Sequence, residues 1–283
     1  MMGQKRITEY KNEGLVFDVK DQGPLDGEVI VLLHGFPMTN ICWDKITSIL
    51  NEQGYRTIAP NQRGYTNTAY PKSIWAYSMS KLVDDIYILV QLIDKPKVYL
   101  AGHDWGALVA WGFAVKYPDR LHHLITVSVP TSAAFVKSLF TSDQLARVYY
   151  MGLFQIPRLP ELFVKYKYPV FKSMLMGTGL SSDEVEWIND QVLKPGFLTG
   201  SLNWYRAMPF TLPFDLIRKI HVSTTFIWGE KDASVNRCSA ENAALSVSAQ
   251  YQFIPLPQAT HWIPLQHPQE IAEIILNVSS NHS

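Results

Sequence analysis

The stretch VYLAGHDWGALVAWGFAVKYP, residues 98–118, constrains the fold more than any other part of the chain. Its first apolar run, 98–101, lies between Pro96 and Gly102 and reads as a short buried strand. From Ala107 apolar residues recur at helical spacing (Leu108, Trp111, Val115), with the small Gly112 among them, and Tyr117-Pro118 ends the run. A strand that enters a helix through glycines two residues either side of one reactive side chain has the layout of a nucleophile elbow. The glycines have a steric task, because the two backbones approach so closely there that a Cβ at position 102 or 106 would clash. The residue at the tip is Asp104, where acyl transfer would use serine. The competing reading makes Asp104 a helix N-cap, but a cap alone does not require both glycines.

The rest of the chain fits an α/β protein around this elbow. Short apolar runs at 28–33, 56–59 and 124–129 alternate with helical patterns, notably 79–93, which predicts a mostly parallel sheet covered by helices on both faces. After residue 130 the texture changes. Aromatics and methionines crowd in (Tyr149, Tyr150, Met151, Phe154, Tyr166, Met174), prolines interrupt, and β-branched runs vanish. The expected division is a first core part at 1–130, a helical cap inserted at 131–213, and a second core part at 214–283. In that last part 224–228 and 251–256 read as strands and 268–278 as a closing helix, followed by a polar tail at 279–283.

Charge and cysteine usage narrow the class. Lys+Arg and Asp+Glu number 25 each, so no net field draws nucleic acid or an anionic membrane. Cys42 and Cys238 have neither disulfide nor zinc spacing. The opening MMGQKRITEYKNEG lacks a signal-peptide core, and no uncharged apolar stretch is long enough to span a bilayer. The expectation is a cytoplasmic protein of unknown oligomeric state.

An aspartate nucleophile restricts the substrate. Serine attacking a saturated carbon would form an ether, which cannot be hydrolysed to recover the enzyme, whereas a carboxylate forms an ester that activated water can cleave. Asp104 therefore points to an epoxide or an alkyl halide. The acid and the base should follow it in chain order. GEKD, residues 229–232, comes after the 224–228 strand; Asp232 is the expected acid and Glu230 the reserve, although such a tetrapeptide can also be a solvated turn. His261 sits directly after the 251–256 strand, where a general base belongs, while His267 before Pro268 reads as a helix entry. An oxyanion hole needs backbone donors: the amide of Trp105 and that of Phe36 in the loop HGFP, residues 34–37.

These residues resemble the α/β-hydrolase-fold epoxide hydrolases. The resemblance covers most of the chain: HGFP, RGY at 63–65, GHDWG at 102–106, GEKD and THW at 260–262. Its most discriminating parts are RVYYMGLFQIPRLPE at 147–161 and NWYR at 203–206, similar to two cap segments where that family keeps a tyrosine pair. It implies Asp104 as nucleophile, Asp232 as charge-relay acid, His261 as the base that activates water, and Tyr150 with Tyr205 as donors to the epoxide oxygen. Tyr149 is the alternative should the register differ by one. It also implies a cis peptide at Phe36-Pro37 and no metal or organic cofactor. One loop departs from the pattern: the usual Asp-x-Arg-Gly-Tyr-Gly-x-Ser reads Asn61-Gln62-Arg63-Gly64-Tyr65-Thr66-Asn67-Thr68.

The expected activity is conversion of an apolar epoxide and water to a vicinal diol. The rivals are a haloalkane or haloacid dehalogenase on the same triad, and a non-catalytic sensor of a small ligand. Epoxide opening leaves an alkoxide that needs donors, whereas halide departs without a proton.

Overall fold

The computed structural model describes residues 5–210 and 218–280. The expected cap–core boundary at 213/214 and the end of the polar tail, 281–283, lie outside the described residues.

An eight-stranded sheet organises the chain. Its strands are β1 (Glu9–Asn12), β2 (Leu15–Gln22), β3 (Val29–Leu33), β4 (Arg56–Pro60), β5 (Val98–His103), β6 (Leu121–Val127), β7 (Thr224–Gly229) and β8 (Tyr251–Leu256), in the spatial order β1-β2-β4-β3-β5-β6-β7-β8. From β4 to β8 all pairings are parallel, whereas β1 with β2 and β2 with β4 are antiparallel.

In a parallel sheet covered on both sides every strand residue is buried, and VIVLL in β3 and VYLAGH in β5 are buried throughout. Successive β3 residues feed two separate cores. Val29, Val31 and Leu33 pack under α2 (Met79–Gln91) and α3 (Trp105–Lys116), for example with Ile86 and Phe113. Ile30 and Leu32 pack under α1 (Asp44–Glu52) and a C-terminal helix, Pro268–Ser280, for example with Leu50 and Ile275.

The six parallel strands fall at the positions the sequence indicates, with shifted ends: β5 runs on through His103, and β6 starts at Leu121 and stops at Val127. The hairpin β1–β2 was not legible in the sequence. Its strands lie at the sheet edge, and only alternate residues such as Phe17 and Val19 turn inward, so charged residues break the apolar run.

Between β6 and β7 the described residues form helices and no strand: α4 (Ser132–Thr141), α5 (Gln144–Arg147), α6 (Tyr149–Phe154), α7 (Leu159–Tyr166), α8 (Tyr168–Gly177), α9 (Ser182–Ile188) and α10 (Leu198–Ala207). Local signals delimit several of them. Thr131 caps α4 through the Ala134 amide, Ser181 and Glu184 form a reciprocal capping box on α9, and prolines stand in the first turns of α7 and α8. Two short helices, α11 (Arg237–Asn242) and α12 (Ile263–Gln266), precede the closing helix α13 (Pro268–Ser280).

Candidate active site

The β5–α3 junction is as tight as its glycines imply. A Cβ on Gly102 would lie 2.2 Å from the Gly106 carbonyl oxygen, and one on Gly106 would lie 2.3 Å from that of Leu33. Between them Asp104 adopts φ 53°, ψ −119°, a left-handed conformation that a non-glycine residue holds only where its surroundings impose it. Its side chain does not cap α3. Instead Oδ1 accepts a 2.7 Å hydrogen bond from the Phe36 amide, and the Trp105 amide also donates to this carboxylate. The Phe36–Pro37 bond beside it is cis.

The carboxyl ends of β7 and β8 bring two further groups to Asp104. His261 is buried; its Nδ1 lies 2.8 Å from Asp232 Oδ2, and its Nε2 lies 3.5 Å from Asp104 Oδ2. The other Asp232 oxygen, Oδ1, accepts from the amides of Ser234 (2.7 Å) and Val235 (2.9 Å), so that carboxylate is fully employed. Glu230 points elsewhere and pairs with Arg237 at 2.9 Å. His267 pairs with Glu270 at 3.1 Å on α13, away from this group.

Electrostatics follow from this geometry. Burial disfavours the His261 imidazolium, but the Asp232 charge, and then Asp104, more than offset it and push the pKa up to about 10. Burial pulls the other way on Asp104 too, yet contact with His261 holds its carboxyl below the usual carboxylate range. The free site is thus an imidazolium between two carboxylates at neutral pH.

Two further buried histidines are neutral supports rather than bases. Burial lowers His103 and His34 to about 4. His103 Nε2 lies 2.9 Å from the His261 carbonyl oxygen, which also accepts from Ser128 Oγ at 2.7 Å. His34 Nε2 accepts from the Gln62 amide at 3.0 Å, tying the HGFP loop to the departing loop at 61–68. There Asn61 still serves as an acceptor, for the Asn40 amide at 2.8 Å. Ser128 and His103 were missed in the sequence because their partner is a backbone carbonyl some 130 positions or more away, and no local motif marks such a contact.

Helices of the segment between β6 and β7 close the site. Tyr205 on α10 is buried, with its ring 4.9 Å from Trp105 and 5.4 Å from Phe36. Tyr150 on α6 lies 6.5 Å from the Tyr205 ring. Burial, and then the Asp104 charge, raises both phenols, so each holds its proton. A hydrogen bond from the Trp105 indole to Tyr205 acts in the opposite direction. Tyr149 is 62% exposed and borders only one of the two cavities at the site, whereas Tyr150 borders both.

Asp104, His261, Tyr150, Tyr205 and Ser234 form a waist between two cavities. One, of about 580 Å³, is lined by residues such as Phe163, Val164, Met174 and Leu175; the other, of about 270 Å³, by Leu108, Phe135, Leu139 and Met208. Both are apolar, with polar groups concentrated at the waist.

Comparison with known proteins agrees with this architecture. A family model described as alpha/beta hydrolase fold matches residues 28–268. Epoxide hydrolase 3 of Xenopus tropicalis is 30% identical over 96% of this chain and 77% of its own length. AB hydrolase superfamily protein YfhM of Bacillus subtilis is 32% identical over 95% of this chain and 96% of its own. Among solved structures, the epoxide hydrolase VrEH1 from Vigna radiata superposes with a TM-score of 0.81 at 26% identity, over 96% of this chain and 97% of that one. The chain belongs to the α/β-hydrolase-fold family, in its epoxide hydrolase group.

Proposed function

We propose that this chain hydrolyses apolar epoxides to vicinal diols through an ester on Asp104. The observation that carries the reading is the pair of protonated phenols, Tyr150 and Tyr205, lining the same cavity as an ionised carboxylate at an elbow tip. A departing halide needs no proton, whereas the oxygen of an opening epoxide needs donors of the kind the two phenols supply. The curated relatives named epoxide hydrolases support the same choice.

In the first step the phenols of Tyr150 and Tyr205 hydrogen-bond the epoxide oxygen while Asp104 Oδ2 attacks a ring carbon. The C–O bond breaks and the oxygen takes a proton from a phenol, giving a hydroxyalkyl ester. The same step removes the Asp104 charge, which had raised both phenols and His261. The phenols become better acids as the alkoxide forms, and the imidazolium then gives up its proton, which returns through solvent to the phenolate, leaving a neutral His261 and two phenols before the base is required. In the second step His261, oriented by Asp232, takes a proton from water, which attacks the ester carbonyl. The carbonyl oxygen is Oδ1, already held by the Phe36 amide, and the Phe36 and Trp105 amides stabilise the oxyanion. These steps use only side chains and backbone groups of the chain.

In this reading residues 131–213 act as a cap on a core made of 1–130 and 214–283, and the two cavities receive the two substituents of the epoxide. Among the described residues no helix is long and apolar enough to cross a membrane. Cys42 and Cys238 are free thiols, which fits a reducing cytoplasm. Incubation with styrene oxide and with a bromoalkane, followed by assay of diol and bromide, tests the reading. Diol without bromide supports it, bromide without diol sinks it in favour of the dehalogenase, and neither product would support a ligand sensor.

A further inference from the structure

The outer face of α7 and α8 is apolar where a surface helix would be polar. On α7, Pro160 and Val164 are buried, yet Leu159, Leu162 and Tyr166 along an adjoining flank are 46%, 48% and 68% exposed. On α8, Val170, Met174 and Met176 are likewise exposed. A surface helix whose apolar stripe extends beyond its buried face marks a face with something to meet.

The charges interleaved with these residues are one-sided. Residues 156–176 contain Arg158, Lys165, Lys167 and Lys172 but only one acid, Glu161. Glu161 is turned away, making a bidentate pair with Arg206 at 2.9 and 3.0 Å. Lys172 pairs with Glu186 at 2.6 Å. Arg158, Lys165 and Lys167 are exposed and have no carboxylate partner among the described residues. The even charge balance of the whole chain, which gives no reason to expect a membrane partner, conceals this local excess.

We propose that the α7–α8 face docks on an anionic lipid bilayer. Apolar side chains flanked by unpaired cations suit the boundary between acyl chains and anionic headgroups. Tyr166, with the Lys165 ammonium 5.3 Å from its ring centre, has the amphipathic form favoured at that boundary. A second copy of this chain fits less well, because a two-fold contact would set the same unpaired cations against themselves.

The larger cavity opens on the same face. Leu159 and Met174 line it and are also 46% and 42% exposed, so they form its rim. A docked cap would present that rim to the bilayer interior, and an apolar ligand dissolved there would reach the cavity without crossing water. Docking is independent of the epoxide reading; only the benefit to turnover rests on it.

Sedimentation with vesicles of phosphatidylcholine, with and without phosphatidylserine, tests the proposal on the full chain. Binding should require phosphatidylserine and weaken with added salt. The double variant Lys165→Glu, Lys167→Glu should bind at least twenty-five-fold more weakly, at roughly fivefold for each lysine near an anionic surface. Leu162→Asp should also release the protein. None of these residues lines the cavity, so styrene oxide hydrolysis in solution and the unfolding midpoint should stay at wild-type values, the midpoint serving as the fold control if no hydrolysis is found. Absence of vesicle binding overturns the proposal, as does binding that ignores phosphatidylserine and both variants. A dimer in analytical ultracentrifugation that Leu162→Asp dissociates, without vesicle binding, overturns it in favour of a second copy.

Discussion

Asp104, Asp232 and His261 follow the ends of three parallel strands, whereas Tyr150 and Tyr205 reach the same point from helices of the inserted segment. The sheet side is set by backbone: glycines that admit no Cβ, a strained φ at Asp104, and amide and carbonyl contacts on each of these three residues. The side made by the inserted helices, the proposed cap, is set by side chains, and its two tyrosines are held unequally. Nearly all of α10 is buried; Gly200 sits against Gly64, where a Cβ would lie 2.5 Å from the Gly64 oxygen, and Trp204 Nε1 donates to the Arg63 carbonyl at 2.8 Å. No residue of α6 is fully buried. A rigid elbow fits the step that needs a fixed nucleophile, and a softer second wall can accept substrates of different shape.

If the sheet side alone performs the hydrolytic step, the two half-reactions should separate there. His261→Gln should slow ester hydrolysis by roughly a hundred- to ten-thousand-fold, as for loss of a general base. Alkylation should survive, because Asp104 is already ionised. Mass spectrometry should then find an adduct of the full epoxide mass, since nothing leaves when the ring opens, on the peptide containing Asp104. Asp104→Ala should abolish it. An adduct on any other residue, or an unmodified His261→Gln protein after prolonged exposure to an epoxide the wild type consumes, would refute the covalent route.

The difference between the tyrosines sharpens the comparison. Tyr205→Phe and Tyr150→Phe should each slow alkylation within the roughly ten- to thousand-fold range of a lost proton donor. Tyr205, on the seated helix, should have the larger effect, and Tyr150→Phe should be partly rescued by its partner. Single-turnover adduct formation measures this. Wild-type rates in both single variants and the double variant would remove the main argument for epoxide over halide.

Charge coupling across the site gives a smaller, directly titratable effect. His261 is raised to about 10 by burial being outweighed by Asp232 and Asp104. The shift is upward from the unfolded value of about 6.5. Its contribution to stability is therefore complete below that pH and is lost as pH rises through the folded pKa. Asp104→Asn mimics the uncharged ester and should lower the His261 pKa, read from ring 15N shifts. An unchanged titration would deny that ester formation frees the base.

The same contrast explains what the sequence made legible. Asp104, Asp232 and His261 lie at strand ends marked by apolar runs and turn residues, so order along the chain predicts their meeting. Tyr150 and Tyr205 carry no such mark; helical aromatics are usually packing, and only the resemblance to a family singled them out. Tyr150 and Tyr149 share one local pattern, and tertiary packing alone places Tyr150 between the two cavities. No local pattern assigns a role to Gln144, Arg147 or Asn236, because their partners lie about 90 positions away.

Those three residues form the seam between the two regions. The buried Gln144 amide donates to the Ser234 carbonyl at 2.6 Å and accepts from the Asn236 amide at 2.9 Å, pairing with the loop as a neighbouring strand would. Arg147 donates to the Asp232 carbonyl at 3.1 Å, and Asn236 Nδ2 donates to Ser142 at 2.8 Å and to Asp143 at 2.5 Å. The acid loop after β7 is thus tied to α5, three residues ahead of Tyr150. Gln144→Ala leaves two backbone groups without partners, at a stability cost of about 1–3 kcal/mol. Because the seam positions both Asp232 and Tyr150, alkylation and hydrolysis should both slow several-fold, with the His261 titration broadened or shifted. Rates and titration that stay at wild-type values while only the unfolding midpoint falls would make the seam a purely structural contact, and the cap and core would then act on the two steps independently.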